Sequence, residues 1–336
     1  MSKGKIVCFG VRDYEIPTFE TLGKKYDYEL VLRPEYLNDN CIELADGFET
    51  VMVRGNCVIS PENYKRLKDK GLKYYVTRTA GYDHVNLAVC KELGIKSAFV
   101  PGYSPNAISE LALTCAMTLL RHVQYDGDKS ALALDFKVTD TMFSKEIRQC
   151  TVGIIGCGRI GKTTASLFHG LGAKVIGYDK FPGQDSDMLK FVDLDTLLKE
   201  SDVICCHAAY FKGQNDNMIG APEIAKMKDK VVFVNAARGE IVDAEAMVAA
   251  VKAGKVDGFA ADVLRGEKAI FNHKFDKIED IPDPVVQDMV RLYPKVIITP
   301  HVASATEGAL IDMVEVTLKN MDEFLETGDC KNSLIK

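Results

Sequence analysis

The sequence predicts an α/β protein made of two doubly wound parallel-sheet domains. Short β-branched and apolar runs alternate with amphipathic, helix-like segments along most of the 336 residues. This alternation is typical of parallel strands joined by covering helices. The chain is also long for a single hydrophobic core, and its hydrophobic fraction of 47% is ordinary for a globular protein. These observations together predict two domains.

The first series of strand-like runs fills the N-terminal part of the chain. The four runs are KIVCFGV, YELVL, TVMV and KYYVT, and a helix-like segment follows each of them. The alternation pauses near residues 100–101. Ser104 then provides a helix cap and Pro105 the first helical position of a segment with helical apolar spacing up to His122. We expect the chain to cross into its second domain there.

The second series begins after Cys150 and contains six runs: TVGIIG, AKVIGYD, VICCHA, VVFVNAA, DGFAADV and KVIITP. Six strands with intervening helices are the number in a complete doubly wound dinucleotide-binding fold. The last helix, roughly Ala305 to Glu326, is not followed by another strand of the second domain and is expected to return to the first domain. The predicted domains are therefore residues 1–101 with 303–336, and residues 102–302, with a cleft between them.

Composition and charge exclude several classes of function. The net charge of −6 argues against a nucleic-acid surface or a polybasic membrane patch. No apolar run approaches the ~20 residues that span a bilayer, and the N-terminus lacks a secretory signal. The ten cysteines are scattered without C-x-x-C spacing, which favours reduced thiols over a zinc site. We expect a cytoplasmic protein with no metal, no nucleic-acid partner and no membrane partner.

Residues 156–163, GCGRIGKT, match two phosphate-binding motifs. Read as G-x-x-x-x-G-K-T they form the P-loop of a triphosphatase, and read as G-x-G-x-x-G they open a dinucleotide-binding fold. Gly158 is needed only by the second motif, and the strand before it and the helix after it fit that fold. The dinucleotide interpretation is therefore favoured. A P-loop ATPase is the alternative, which MgATP hydrolysis would reveal.

Asp179 selects between the two nicotinamide cofactors. It ends the strand VIGYD, 18 residues past Gly161. A carboxylate there accepts hydrogen bonds from the ribose hydroxyls and repels a 2′-phosphate. The sequence thus predicts NAD rather than NADP.

Three charged residues follow strands of the second series, at the edge where open parallel sheets hold their active sites. They are Arg238 in VNAARGEIVD, Glu267 in ADVLRGE and His301 after VIITP. A protonated imidazole can donate its proton to the oxyanion that forms when a carbonyl is reduced. A neighbouring carboxylate stabilises the imidazolium, and arginine binds a substrate carboxylate through two parallel hydrogen bonds. The residues suit reduction of a 2-oxo acid.

These motifs, together with TPHVAS, TRTAGYDHVN and VPGYSPNAISE, resemble the D-isomer-specific 2-hydroxyacid dehydrogenase family over essentially the whole chain. The resemblance implies a Rossmann NAD-binding domain, a flavodoxin-like catalytic domain and reduction of a 2-oxo acid to the (R)-2-hydroxy acid. It also implies a homodimer formed through the cofactor domain. The family's catalytic roles fall on His301 as acid/base, Glu267 as its partner and Arg238 as the arginine that anchors and polarises the substrate.

The resemblance further implies binding residues. Backbone N–H groups of Ala80 and Gly81 would bind the substrate carboxylate, with Tyr103 nearby. The chain departs from the common pattern at Ala209, where many members have proline, and at Arg265, where many have an acid. NAD contacts are implied at Gly156, Gly158, Arg159, Ile160, Gly161, Asp179, Ala208, Ala209, Asn215, Ala236 and Asp262, the last near the nicotinamide amide.

Arg54 indicates which 2-oxo acid is used. It follows the strand TVMV, and in this family the loop after that strand faces the distal end of the substrate. A buried guanidinium beside a methyl or isobutyl group would be costly, whereas a second carboxylate would pair with it. The RGN context, TRTAGYDH and MFSKEIRQCTVG resemble the (R)-2-hydroxyglutarate dehydrogenases of amino-acid fermentation, which implies 2-oxoglutarate as substrate.

Other functions stay open from the sequence. D-lactate, (R)-2-hydroxyisocaproate and phenyllactate dehydrogenases would use the same catalytic residues with a different distal pocket. An exposed Arg54 without any substrate contact would remove the argument for 2-oxoglutarate. A corepressor of similar fold would bind NAD as a switch rather than for turnover; an NADH-oxidation assay separates it from an enzyme.

Overall fold

The computed structural model describes residues 2–335, which group into two compact units. One unit runs up to Ser104 and resumes at Ser304, and the other is Pro105–Ala303.

The first unit is built around a parallel sheet. Within the described residues 2–335, its strands lie in the order β2-β1-β3-β4. The segment Lys96–Ala98 continues the sheet beyond β4, because its carbonyls accept backbone hydrogen bonds from Tyr75 and Thr77, each 2.9 Å long. The resulting order, 2-1-3-4-5, is that of flavodoxin-like folds. The elements are β1 (Gly4–Cys8), α1 (Ile16–Tyr26), β2 (Tyr28–Leu32), β3 (Thr50–Val53), α2 (Pro61–Asp69), β4 (Tyr74–Thr77) and α3 (Leu87–Glu92).

The sequence predicted a helix between β2 and β3, and for this segment of the first unit the prediction is wrong. The structure has only a 3-10 turn there, Ile42–Ala45. The segment is rich in turn-forming residues, and the side chain of Asn38 accepts a hydrogen bond from the backbone N–H of Asn40. Such local side-chain bonds compete with helix formation.

The second unit holds a parallel sheet whose strands, counted over residues 2–335, follow the order β11-β10-β9-β8-β5-β6-β7. Read from β7, this is the 3-2-1-4-5-6 order of a Rossmann fold with one further strand. The structure adds a strand to the six expected ones, the two-residue β7 at the sheet edge. The elements are α4 (Pro105–Leu120), α5 (Val123–Leu132), β5 (Thr151–Ile155), α6 (Arg159–Gly170), β6 (Lys174–Tyr178), β7 (Lys190–Phe191), α7 (Leu194–Glu200), β8 (Val203–Cys206), α8 (Ala221–Lys226), β9 (Val231–Asn235), α9 (Ala244–Lys252), β10 (Val256–Ala261), α10 (Pro284–Arg291) and β11 (Val296–Ile298).

The last helix, α11 (Glu307–Thr327), belongs to the first unit. Its buried side chains Val314, Leu318, Met321 and Phe324 join one core cluster with Phe19 of α1. The apolar positions recur every three or four residues, which places them on one helix face. In the second unit, separate core clusters cover the two faces of the long sheet.

Candidate active site

The glycine turn lies between β5 and α6, where the strand order of the second unit reverses. A Cβ on Gly156, whose φ is +88°, would lie 2.5 Å from the backbone of Ala208, and one on Gly161 would lie 2.0 Å from the Gly156 carbonyl oxygen. Both approaches exclude larger residues. A Cβ on Gly158, by contrast, meets no described atom within 4 Å. The turn is therefore tight at its first and third glycines and open at its second, as a phosphate site requires. Arg159 and Ile160 begin α6 directly after it.

Asp179 lies at the end of β6 beside this turn. Its carboxylate accepts hydrogen bonds from the backbone N–H groups of Cys157, at 2.7 Å, and Phe181, at 2.9 Å. The carboxylate is only half-buried. Since each carboxylate oxygen can accept more than one hydrogen bond, Asp179 can brace the turn and still accept bonds from ribose hydroxyls.

The loops after β8 and β9 lie along the same sheet edge. Ala208 follows β8, and Ala236 follows β9, with its N–H donating to the carbonyl of Cys206. The Asn215 side chain donates to the Ala209 carbonyl at 2.8 Å and accepts from the Phe211 N–H at 2.7 Å. The structure thus shows Asn215 as a brace of this loop.

His301 and Glu267 form a close pair. The Nδ1 atom of His301 lies 2.6 Å from Oε1 of Glu267, and the other carboxylate oxygen accepts a hydrogen bond from the backbone N–H of Leu264. Both side chains remain partly exposed, the histidine at 43% and the glutamate at 25%. With Nδ1 engaged, Nε2 is the ring nitrogen left to face a reactant.

Asp262 holds the turn that carries His301. Its carboxylate accepts hydrogen bonds from the Thr299 hydroxyl and from the N–H groups of Val302 and Ala303, and its carbonyl accepts from the His301 N–H. These bonds maintain a left-handed backbone at His301, with φ of +53°, that is rare for residues other than glycine. Burial raises the pKa of the Asp262 carboxyl, although the hydrogen bonds from residues 299–303 oppose that rise.

Arg238 follows β9, and the next residue, Gly239, lies against the loop that leads to Glu267. A Cβ on Gly239 would lie 2.1 Å from the backbone nitrogen of Arg265 and 2.1 Å from the carbonyl carbon of Leu264, so only glycine allows the two loops to approach. The Arg238 guanidinium donates to the Ala237 carbonyl at 2.8 Å and is half-buried.

Arg265 connects three loops of this sheet edge. Its guanidinium donates to the Asn217 side chain in the loop after β8 and to the carbonyl of Glu240 in the loop after β9. Arg265 itself lies two residues before Glu267, in the loop after β10. The sequence indicated this residue only as a departure from a common pattern, and the structure shows what it contacts.

Comparison with known proteins identifies the family. Residues 113–303 match the model of the D-isomer specific 2-hydroxyacid dehydrogenase, NAD binding domain. The chain is 36% identical to an aromatic 2-oxoacid reductase of Clostridium sporogenes, covering 98% of this chain and 99% of that protein. It is 38% identical to a D-lactate dehydrogenase of Lactiplantibacillus plantarum, covering 96% and 97%.

A solved structure agrees. The NAD-complexed D-isomer specific 2-hydroxyacid dehydrogenase of Lactobacillus delbrueckii ssp. bulgaricus superposes with a TM-score of 0.86 at 32% identity, covering 98% of this chain and 99% of that one. The chain belongs to the D-isomer specific 2-hydroxyacid dehydrogenase family. It is an NAD-dependent oxidoreductase, and the P-loop interpretation of GCGRIGKT is excluded.

The dehydrogenase has a second cluster of charged groups, in the first unit at the carboxyl ends of β1, β3 and β4. Arg78 is 1% exposed and binds both carboxylate oxygens of Glu15, at 3.0 and 3.2 Å, while donating to the Gly10 carbonyl. Burial opposes ionisation of Glu15, but Arg78 and the hydrogen bond from the Arg12 N–H outweigh it and lower the pKa of that carboxyl. The sequence analysis missed this buried pair.

Arg54 lies beside the pair and makes only a looser ion pair with Glu15, without a hydrogen bond to it. Its Nη1 atom is 3.6 Å from Glu15, and within the described chain this buried nitrogen has no hydrogen-bond partner. Burial, together with repulsion from Arg78 and Arg12, lowers the pKa of the Arg54 guanidinium from its ordinary value. Its side chain is only 22% exposed, so Arg54 is not a solvated surface residue.

Ala80 and Gly81 follow Arg78 in the loop after β4. Of the contacts made by residues 2–335, none uses the backbone N–H of either residue. Both are therefore available to a substrate carboxylate. Tyr103 lies half-buried just before α4. The described helices include none that is long and apolar enough to cross a membrane.

Proposed function

We propose that this dehydrogenase reduces 2-oxoglutarate to (R)-2-hydroxyglutarate with NADH. The observation that carries the proposal is the buried Arg54 nitrogen that lacks a hydrogen-bond partner in the part of the chain described. Two guanidinium groups, those of Arg54 and Arg78, act on the single carboxylate of Glu15, and the charge of Arg12 repels that of Arg54. Arginine cannot escape burial by losing its proton. A second substrate carboxylate would supply the missing acceptor and counter-charge.

Smaller or apolar substrates fit this cluster less well. The methyl group of pyruvate, the isobutyl group of 2-oxoisocaproate and the ring of phenylpyruvate offer Arg54 no acceptor, and an unpaired buried charge costs several kcal/mol. The relatives described above are named for aromatic 2-oxo acids and D-lactate. Those substrates, with (R)-2-hydroxyisocaproate, are the alternatives against which the proposal is tested.

The proposed chemistry assigns one task to each residue of the second unit. When bound, the reduced nicotinamide supplies a hydride to the carbonyl carbon of the 2-oxo acid. His301, protonated, donates from Nε2 to the carbonyl oxygen as negative charge develops there. Glu267 stabilises the imidazolium through Nδ1, and Arg238 binds the carboxylate next to the carbonyl. In the direction of oxidation, neutral His301 accepts the hydroxyl proton.

The proposed cofactor contacts follow from the glycine turn. The open position at Gly158 suits the pyrophosphate, and the N-terminal turn of α6, which contains Arg159, supplies backbone N–H groups. Asp179 would accept bonds from the ribose hydroxyls. Asp262 already receives three hydrogen bonds, so its proposed contact with the nicotinamide amide would add to its role in holding His301.

A substrate panel tests the proposal. NADH oxidation is measured with 2-oxoglutarate, pyruvate, 2-oxoisocaproate and phenylpyruvate, and the chirality of each product is determined. We expect the highest kcat/KM for 2-oxoglutarate and an (R) product. A higher kcat/KM for a monocarboxylic 2-oxo acid would assign the enzyme to one of the alternative substrates.

The Arg54→Leu variant tests whether the substrate preference depends on Arg54. One charge-assisted hydrogen bond is worth about 1.5–3 kcal/mol, so kcat/KM for 2-oxoglutarate should fall about 10- to 100-fold while the values for monocarboxylic substrates hold. Arg66→Leu removes an exposed arginine of α2 and is the matched control. Equal losses on mono- and dicarboxylic substrates would refute distal recognition by Arg54.

The proposal includes a homodimer formed through the second unit. The end of α5 and the segment after it expose the side chains of Leu132, Leu134, Phe136, Val138 and Phe143, each by more than three-quarters of its surface. A run of apolar groups of this kind favours association. Light scattering should give twice the chain mass, and Phe136→Ser with Val138→Ser should shift it toward the monomer. A monomeric parent protein would refute this part.

A further inference from the structure

Thr79, Thr77 and His84 form a buried chain of hydrogen bonds that ends at the loop of Ala80 and Gly81. The Thr79 hydroxyl donates to the Gly81 carbonyl at 2.7 Å. The hydroxyl oxygens of Thr79 and Thr77 are 2.7 Å apart, and Thr77 is 2.9 Å from Nε2 of His84. Thr77 and His84 are both buried.

The direction of this chain follows from counting protons. A carbonyl only accepts, so the single hydroxyl proton of Thr79 is used on Gly81. Thr77 then donates to the Thr79 oxygen at 2.7 Å rather than to the more distant Val53 carbonyl at 3.5 Å, and its own oxygen accepts from Nε2–H of His84. Every donor in the chain points toward the Gly81 carbonyl. Hydrogen bonds arranged head to tail in this way polarise and strengthen one another.

The chain holds one side of the loop, and a backbone bond holds the other. The carbonyl of Thr79 accepts a hydrogen bond from the Val100 N–H at 3.2 Å, so the carbonyls of Thr79 and Gly81, on either side of Ala80, are both fixed. Between these two anchors lie the N–H groups of Ala80 and Gly81, to which residues 2–335 provide no acceptor. The Thr79 carbonyl shares its peptide plane with the Ala80 N–H, and the plane that carries the Gly81 N–H lies between the two fixed carbonyls, so rotation of both donors is restricted.

We propose that Thr79 is a positioning residue for substrate binding, and that Thr77 and His84 act through it. This inference rests on the proposed role of the Ala80 and Gly81 N–H groups in binding the carboxylate next to the carbonyl. That carboxylate is common to all 2-oxo acids. Loss of this chain of hydrogen bonds should therefore weaken the binding of every substrate by the same factor, whereas loss of the Arg54 side chain should weaken only the binding of dicarboxylic substrates.

The test compares Thr79→Val, which has nearly the same shape but no hydroxyl, with Thr79→Ser, which keeps it. A neutral hydrogen bond contributes about 0.5–1.5 kcal/mol. We expect the Thr79→Val substitution to raise KM about 3- to 10-fold for pyruvate and 2-oxoglutarate alike, with kcat and the KM of NADH within about twofold of the parent values. Thr79→Ser should restore KM. Thr21→Val, on the outer side of α1 where the hydroxyl bonds only the Pro17 carbonyl, is the control.

Thr77→Val breaks the chain one link further away and provides a second variant. It should raise KM in the same direction by a smaller factor. The proposal is overturned if Thr79→Val leaves KM unchanged, if kcat falls instead of KM rising, or if serine fails to rescue. Failure of the dicarboxylate proposal is a different result, since the KM for pyruvate or another accepted monocarboxylate would still rise in Thr79→Val.

Discussion

The carboxyl edges of the two sheets balance their charges in opposite ways. In the second unit, His301 and Glu267 form a one-to-one pair at 2.6 Å, and Asp262 receives three hydrogen bonds. In the first unit, Arg78 takes both oxygens of Glu15, and Arg54 is left 3.6 Å away. The first arrangement is balanced without a ligand, and the second has an excess of positive charge.

This difference separates chemistry from specificity. A catalytic pair must be ready before the substrate arrives, so its partners come from the protein itself. A specificity site can leave a charge unmatched, because a substrate that lacks the matching group then leaves that charge unpaired. The comparison predicts that changes in the second unit alter turnover for all substrates and that changes at Arg54 alter the choice among them.

His301→Ala should have the largest effect. General acid–base catalysis contributes roughly 10²- to 10⁴-fold, and we expect kcat to fall within that range for every 2-oxo acid accepted. NADH binding, followed by fluorescence titration, should remain close to that of the parent protein. His169→Ala, at an exposed position of α6, is the control. Parental turnover in the His301 variant would show that the balanced pair is not the catalytic one.

Arg54→Met should make the protein without substrate more stable. Removing a buried cation that is only loosely paired with Glu15 relieves its desolvation and its repulsion from Arg78 and Arg12. A gain of about 1 kcal/mol corresponds to a rise in melting temperature of about 2–4 °C in a domain of this size. Glutarate should raise the melting temperature of the parent protein and not that of the variant. A variant less stable than its parent, and protected equally by glutarate, would contradict the idea of unmatched charge.

The sheets were largely predictable because their strands are buried on both faces and therefore read as continuous apolar runs. The exceptions have physical reasons. The two-residue β7 is too short to show any periodicity, and the segment before β3 has helix-length spacing but turn-forming residues. Element type was thus clear where burial was complete and unclear where local turn chemistry competed with it.

Predictability of the candidate site followed the same logic. His301, Glu267 and Arg238 could be predicted as candidates because each lies in the loop after a strand, and parallel strands bring their carboxyl ends together. The pair of Arg78 and Glu15 was missed because the two residues lie 63 positions apart and only the folded chain brings them into contact. A signal was present, since Arg78 follows β4 as Arg54 follows β3.

Asp179→Ser should weaken the binding of NADH by about tenfold, as expected for the loss of charge-assisted hydrogen bonds. The same change should improve the binding of NADPH, because the carboxylate no longer repels the 2′-phosphate. Asp179→Asn is the matched variant. It removes the charge and keeps one side-chain oxygen, which can accept from the Cys157 N–H or the Phe181 N–H, since these bind different oxygens of the carboxylate. If both variants kept the parental ratio of kcat/KM for NADH and NADPH, Asp179 would brace the turn without selecting the cofactor.

His207 offers the smallest and most specific test of how the second unit manages burial. Its Nε2 lies 2.9 Å from the Thr164 hydroxyl, and burial lowers its pKa from 6.5 to about 4. Between those values the unfolded chain binds a proton that the folded chain does not, so stability falls as pH falls from 6.5 toward 4. One such proton contributes at most about 1.4 kcal/mol per pH unit.

In His207→Gln the decline in melting temperature over this range should be shallower than in the parent protein. If the melting temperatures of the variant and the parent protein declined equally, burial would not be what keeps His207 neutral. The contrast between the two units would then rest on the His301–Glu267 pair alone.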